Sequence, residues 1–388
     1  MNAKTFLIRL ITLIFLGCLS IYIFVMFVDP YQIKGLNLVN KHAGGHSDRI
    51  MKPLILEEMG DDFKMFIIGS SRTEIFVPSM VEQISRQKTY NYSLVNASLE
   101  DYIAAVNHIL HVQNPKIIYL QLDFYTFNET HSTRNTILNT PLEKYLGQYI
   151  DLKRATKSNN ELVFFNTTYF SLAAFIDAYK SVKLYLINRN KEVSPINVSA
   201  QAPTVTPHKD ETSLSRDMKN KNVEVPDYYF ISDCKKNCTD RYREQYKYYN
   251  YHINEPLVTK LLGFIKKMTD ENQVKLIIAL SPMNKEHLEM VLSDQKLTKN
   301  WFRVKEILSH IFPSYNDFNN CSVNAFRGQL YWIDSVHMTR KMSKIMMSVA
   351  LNQPLINEIP ENFGFKVTPK RLNNYLLNLN NCVINAGK

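Results

Sequence analysis

The sequence predicts an α/β protein with a parallel sheet, tethered by one N-terminal transmembrane helix. Three observations carry this. Residues 6–28 form one long apolar run, about the length that crosses a bilayer. Short apolar runs within 65–68, 116–123 and 274–280, with a further strand expected at 88–94, alternate with amphipathic stretches. That rhythm belongs to βα units, whose strands lie parallel beneath helices on both faces. The length of 388 residues is enough for one large domain or two ordinary ones.

The apolar run comes first. Lys4 and Arg9 precede its core and Asp29-Pro30 closes it. This bias places the short N-terminus in the cytoplasm and the rest of the chain outside it. A cleaved signal peptide is the alternative, but the run is long and no Ala-x-Ala-like site follows. The expectation is an uncleaved signal anchor in a single-pass protein, with residues 1–28 as cytoplasmic stub and span. Residues 29–58 read as an irregular, membrane-proximal lead-in containing Lys34, Lys41, Arg49 and Lys52. His42 and His46 flank Gly44-Gly45 without a nearby Cys or carboxylate pair, so no metal site is assigned.

Residues 59–353 form the expected main domain. A strand at 65–68 stops at Gly69-Ser70-Ser71, and 78–86 reads as a helix. A second strand falls within 88–94, and an amphipathic helix covers 99–112 before Asn114-Pro115. The strand at 116–123 closes on Asp123, whose commonest role at such an end is structural. An insertion occupies about 136–252. It contains a helical run at 170–186, a polar loop at 188–225, and a Tyr-rich basic stretch at 228–251. Such a stretch suits sugars and acidic polymers, or is simply an exposed helix. Core signals resume with a helix at 254–270, a strand at 274–280, and helices at 285–292, 299–311 and 339–351. Residues 354–388 form a polar tail with one short helix at about 372–379.

The formal net charge of +10 suits anionic surroundings, namely a membrane surface or an anionic envelope polysaccharide. Nucleic acid is excluded as a partner, since the chain has no zinc-finger spacing, RNP-like motif or dense basic helix. No cofactor is called for. Cys18 lies in the span. Cys234, Cys238, Cys321 and Cys382 leave an even number for an exported domain. The local expectation is Cys234–Cys238 with Cys321–Cys382, one of three possible connectivities; four free thiols are the alternative.

Two motifs carry chemistry. Ser70 and Ser71 stand on a tight turn after a core strand, where backbone N–H groups can stabilise an oxyanion. The plainer role for either is a helix cap. Near the other end of the chain stands Asp334-Ser335-Val336-His337. A serine needs a base, and a histidine needs a carboxylate to fix its tautomer. Alone, Asp334 is a solvated acid and His337 a cap or core residue.

Together, Gly69-Ser70-Ser71 and Asp334-x-x-His337 resemble the SGNH (GDSL) hydrolase superfamily. The resemblance implies a flavodoxin-like three-layer α/β/α sandwich and a Ser71-His337-Asp334 triad, with Ser71 as nucleophile. It also implies an oxyanion hole from the Ser71 N–H, a loop where Asn96 replaces the usual Gly, and the Asn128 side chain. The anchor adds a likeness to alginate O-acetylases and to the D-alanine-transfer protein of lipoteichoic acid assembly. Such proteins work beside membrane-bound O-acyltransferases. The implied activity is O-acyl transfer, O-acetyl in the first instance, to a cell-envelope glycan. A carbohydrate esterase with the same triad, and a non-catalytic glycan- or partner-binding protein, are the alternatives.

Overall fold

The computed structural model describes residues 3–28, 48–60, 62–131, 137, 140–147, 149, 175–176, 178–179, 182–183, 250–326, 330–333, 337–353, 359–360 and 362–386. The polar loop expected at 188–225 lies outside these residues. So does the Tyr-rich stretch, except Asn250 and Tyr251. The chain divides into two compact units: Met1–Glu58 with Asn139–Pro141 and Asp151–Thr206, and Met59–Leu138 with Leu142–Ile150 and Pro207–Lys388.

The first unit holds α1 (Ala3–Val28) and α2 (Asp48–Glu58). From Lys4 to Val28, α1 is long and apolar enough to cross a membrane. Most of its large side chains, Phe6 through Phe27, are exposed. Only its C-terminal end is covered, around Val25 and Val28. Helix α2 corrects the expectation of an irregular lead-in for 48–58, while 29–47 lie outside the described residues. Pro53 lies inside this helix, and an interior proline usually signals a break because it removes a backbone donor.

The second unit is built on a six-stranded sheet. Its elements begin with β1 (Met65–Gly69), α3 (Pro78–Ser85), β2 (Thr89–Ser93), α4 (Leu99–Val112) and β3 (Ile117–Leu122). There follow α5 (Glu143–Leu146), α6 (Glu255–Glu271), β4 (Lys275–Leu280), α7 (Lys285–Ser293), α8 (Gln295–Ile311) and β5 (Tyr315–Asp317). The unit ends with α9 (Arg340–Ala350), β6 (Phe365–Val367) and α10 (Leu372–Ala386). The spatial order is β2-β1-β3-β4-β5-β6. All neighbours are parallel except β5 and β6. The first five strands follow the doubly wound order in which the chain reverses direction between β1 and β3. Right-handed crossovers then send α3 to one face and α4, α6 and α8 to the other. The packing agrees: α4 lies against α6 and α6 against α8, while α3 meets α9.

Strands buried on both faces need near-continuous apolar runs, and Met65–Ile68 and Ile118–Leu122 of β1 and β3 supply them. Strand β2, Thr-Tyr-Asn-Tyr-Ser, is equally buried, and its polar groups are occupied. The Asn91 amide donates to the Thr73 and Phe76 carbonyls at 2.8 and 2.9 Å. The Tyr92 hydroxyl meets His108 Nδ1 at 2.9 Å.

The C-terminal segment is no loose tail. Strand β6 pairs with β5 over three residues, and Tyr375 of α10 donates to Asp317 Oδ2 at 2.9 Å. The same oxygen meets the buried Lys305 ammonium at 2.6 Å. Lys305 also donates to the Asn319 carbonyl at 2.7 Å and lies 4.1 Å from the Trp301 ring centre. Burial pushes the Lys305 pKa down and the Asp317 pKa up, and their mutual attraction opposes both shifts. Both β5 and β6 were absent from the sequence reading. Three-residue strands are too short to show periodicity, and only the pairing defines them.

The turn after β1 is tightly packed. A Cβ on Gly69 would overlap the Thr73 methyl and come within 2.8 Å of its hydroxyl and 3.2 Å of the Gln121 carbonyl. We therefore predict that Gly69→Ala destabilises the second unit by about 1–3 kcal/mol, the usual cost of overpacking. Chemical denaturation followed by near-ultraviolet circular dichroism measures it.

Candidate active site

At the carboxyl end of β1 the two serines take different roles. Ser70 caps the short 3-10 turn Ser71–Thr73, its side chain accepting from the Arg72 N–H at 3.3 Å. It is almost fully buried. Ser71 is half-buried, and its hydroxyl faces His337 Nε2 at 3.0 Å. The plain capping role thus falls on Ser70, which leaves the Ser71 hydroxyl for the imidazole. A neutral imidazole with its Nε2 lone pair towards this hydroxyl has the geometry of a general base.

His337 reaches this position on a short loop between the 3-10 turn Cys321–Ala325 and α9. Trp332 and Met338 form an antiparallel bridge. Around it, Ile333 N–H donates to the His337 carbonyl at 2.8 Å and Thr339 N–H to the Tyr331 carbonyl at 2.9 Å. Trp332 and Met338 are buried, and the Trp332 indole N–H donates to the Phe326 carbonyl at 3.0 Å. Thr339 then caps α9 through Met342 N–H and donates to the Leu330 carbonyl at 2.7 Å. These bonds pin 330–333 against 337–339, with His337 beside the Trp332–Met338 bridge. Asp334 lies at positions outside the described residues.

Of the remaining expected site residues, Asn96 has φ +54°, the left-handed conformation that glycine would supply and asparagine tolerates. It is exposed, in a turn closed by Ala97 N–H to the Leu94 carbonyl at 3.1 Å. Asn128 is buried, and its Oδ1 accepts from the His252 N–H at 3.2 Å. That bond ties the end of the Phe124–Phe127 turn to the segment entering α6. Among the described residues neither asparagine side chain bonds to Ser71.

Sequence reasoning missed Arg72. It directly follows the half-buried nucleophile candidate, yet its own side chain is buried beneath the turn. Its Nη1 lies 3.1 Å from Asp123 Oδ1 at the end of β3, with both side chains 3 % exposed or less. The same nitrogen is 3.5 Å from the Ser281 hydroxyl after β4, which accepts from Gln121 Nε2 at 3.0 Å. One guanidinium therefore ties together the carboxyl ends of β1, β3 and β4. Burial, and next to it the Asp123 charge, pushes the Tyr102 and Tyr125 hydroxyls well above their usual pKa. Both phenols remain neutral beside the ion pair. The signal in the sequence was an arginine in a tight turn and an aspartate at a strand end, but nothing local showed that they meet.

Cys321 is disulfide-bonded, with a partner side chain outside those described, and Cys18 is a free, exposed thiol. Among the described residues no cluster of three or more His, Cys, Asp or Glu is arranged to hold a metal. No family model matches the chain, and no match to a curated protein was found.

A buried ion pair is strongly destabilising when only one member is removed, because the other stays charged and unpaired. We predict that Arg72→Met lowers stability by about 3–5 kcal/mol. Arg72→Met combined with Asp123→Leu should recover most of that loss. Urea unfolding of the single and double variants checks both outcomes.

Proposed function

We propose that the chain is a membrane-anchored serine acyltransferase of SGNH type, moving an O-acetyl group to a cell-envelope glycan outside the cytoplasm. The observation that carries this reading is the 3.0 Å approach of the Ser71 hydroxyl to His337 Nε2. It lies at the carboxyl end of β1, beside the point where the strand order reverses. Sites in open α/β sheets form in that crevice. Both residues are half-buried, so a substrate has access to them.

In this reading His337 takes the Ser71 proton as Oγ attacks the acyl carbonyl carbon of the donor ester. The tetrahedral intermediate collapses with cleavage of the donor C–O bond. His337 returns the proton to the departing alcohol, leaving an ester on Ser71. An acceptor hydroxyl then gives its proton to His337 and attacks that ester. Acylated glycan leaves and Ser71–OH is restored. Asp334 fills the carboxylate role that the family motif assigns it, holding the imidazole tautomer. The Ser71 N–H and the left-handed turn at Asn96 are the proposed oxyanion donors. Asn128 is the third candidate, and its Oδ1 already accepts from the backbone. The basic charge of the chain suits an anionic glycan, and a membrane-bound O-acyltransferase is the partner class that would supply the acyl donor.

A fluorophosphonate probe tests the chemistry on the full-length protein in detergent. Wild type should label, while Ser71→Ala should not. His337→Gln should label slower by roughly three orders of magnitude or more, as for loss of a triad base. Equal labelling of wild type and Ser71→Ala would remove Ser71 from the reaction. Acetate release measured with and without envelope polysaccharide separates the classes. A transferase diverts acetyl to glycan when acceptor is added, whereas an esterase releases acetate regardless.

A further inference from the structure

The first unit exposes apolar side chains at a second place besides α1. Residues 175–176, 178–179 and 182–183 are helical. Phe175, Ala178 and Val182 sit three and four residues apart and share one helix face. That face packs on the C-terminal end of α1, against Tyr22, Phe24, Val25, Met26 and Val28. Phe24 and Phe175 meet edge to face, with ring centres 6.0 Å apart. Ile176, Tyr179 and Lys183 have the same spacing, one residue on, and form a neighbouring stripe. Ile176 is 41 % exposed and Tyr179 59 % exposed. Outside α1, the described residues expose only one other large hydrophobic side chain, Leu377. The exposed apolar surface therefore gathers on the segment that touches the anchor.

Length arithmetic places this segment. At about 1.5 Å per residue, Tyr22–Val28 occupies the last ~10 Å of the path of α1. The hydrocarbon core is about 30 Å thick, so this stretch lies at the boundary between acyl chains and headgroups. Interfacial helices seat their apolar side about 5–10 Å into that boundary. Tyrosine favours the same depth, and a lysine at its edge extends its ammonium to the phosphates.

We propose that the helical residues 175–176, 178–179 and 182–183 form an interfacial element that lies in the headgroup region of the bilayer crossed by α1. Ile176 and Tyr179 enter the acyl boundary, and Lys183 reaches lipid phosphate. The anchor then holds the membrane through two features rather than one, and its outer end is fixed in rotation as well as depth. This does not depend on the proposed chemistry.

Depth-dependent quenching tests it. An environment-sensitive fluorescent amino acid replaces Tyr179 in the full-length protein, reconstituted in nanodiscs of phosphatidylcholine and phosphatidylglycerol. Lys299, exposed on α8, carries the same probe as a control. The expected result is blue-shifted emission at 179, quenched about twofold or more better by headgroup nitroxide lipids than by lipids labelled near the bilayer centre. The control should show neither effect. Water-like emission at 179 equal to that at 299 would overturn the proposal. So would strongest quenching from the bilayer centre.

Discussion

The turn after β1 has to send one side chain outward and bury the next, within two residues of a strand enclosed on both sides. Gly69 makes this possible because the space a methyl would fill is taken by Thr73 and the Gln121 backbone. The chain then enters a 3-10 turn, capped by Ser70 and held from β2 by the Asn91 amide. Ser71 points to His337, while the Arg72 side chain passes under the sheet end to Asp123. A more open turn would lose the hydroxyl's alignment and strand a buried charge together.

The sheet explains why these groups converge. β1 lies between β2 and β3, where the chain changes direction, so its end opens into a crevice. The guanidinium of Arg72 joins β1, β3 and β4 at that end. The far side of the sheet is secured differently, through the Lys305–Asp317–Tyr375 contacts that bind α8, β5 and α10. Both anchor points are buried ionic groups; Asp317 is hydrogen-bonded by Lys305, Tyr375 and the Asn319 N–H, whereas Asp123 faces Arg72 as an ion pair without a well-aligned hydrogen bond. Such groups favour one arrangement over others only when all members are present.

Much of this was legible in the sequence because it depends on local pattern. The helix at Leu99–Val112 followed from apolar spacing and the Asn114-Pro115 stop. Strands β1, β3 and β4 followed from short apolar runs, and β2 from the Tyr-rich stretch between the helices. Helix α8 starts at Gln295, four residues before the expected start, because Asp294 caps it through Leu297 N–H. What escaped depends on distant partners. Helix α2 was hidden by Pro53, β5 and β6 by their brevity, and the Arg72–Asp123 pair by the 50 residues of chain between them. At the site, the serine and histidine were legible as motif members, and their meeting was a topological inference. Polar side chains such as Asn128 could be matched to a role by position, but their hydrogen-bond partners lie elsewhere in the chain and carry no local sign.

The contact between Ser71 and His337 joins positions 266 residues apart. A ribosome makes the serine early and the imidazole only when most of the polypeptide is finished. Throughout that interval the hydroxyl has no proton acceptor of this kind. In a reading where this serine reacts with esters, the nascent molecule is inert by construction and becomes competent only upon completion, with no pro-segment or inhibitor required.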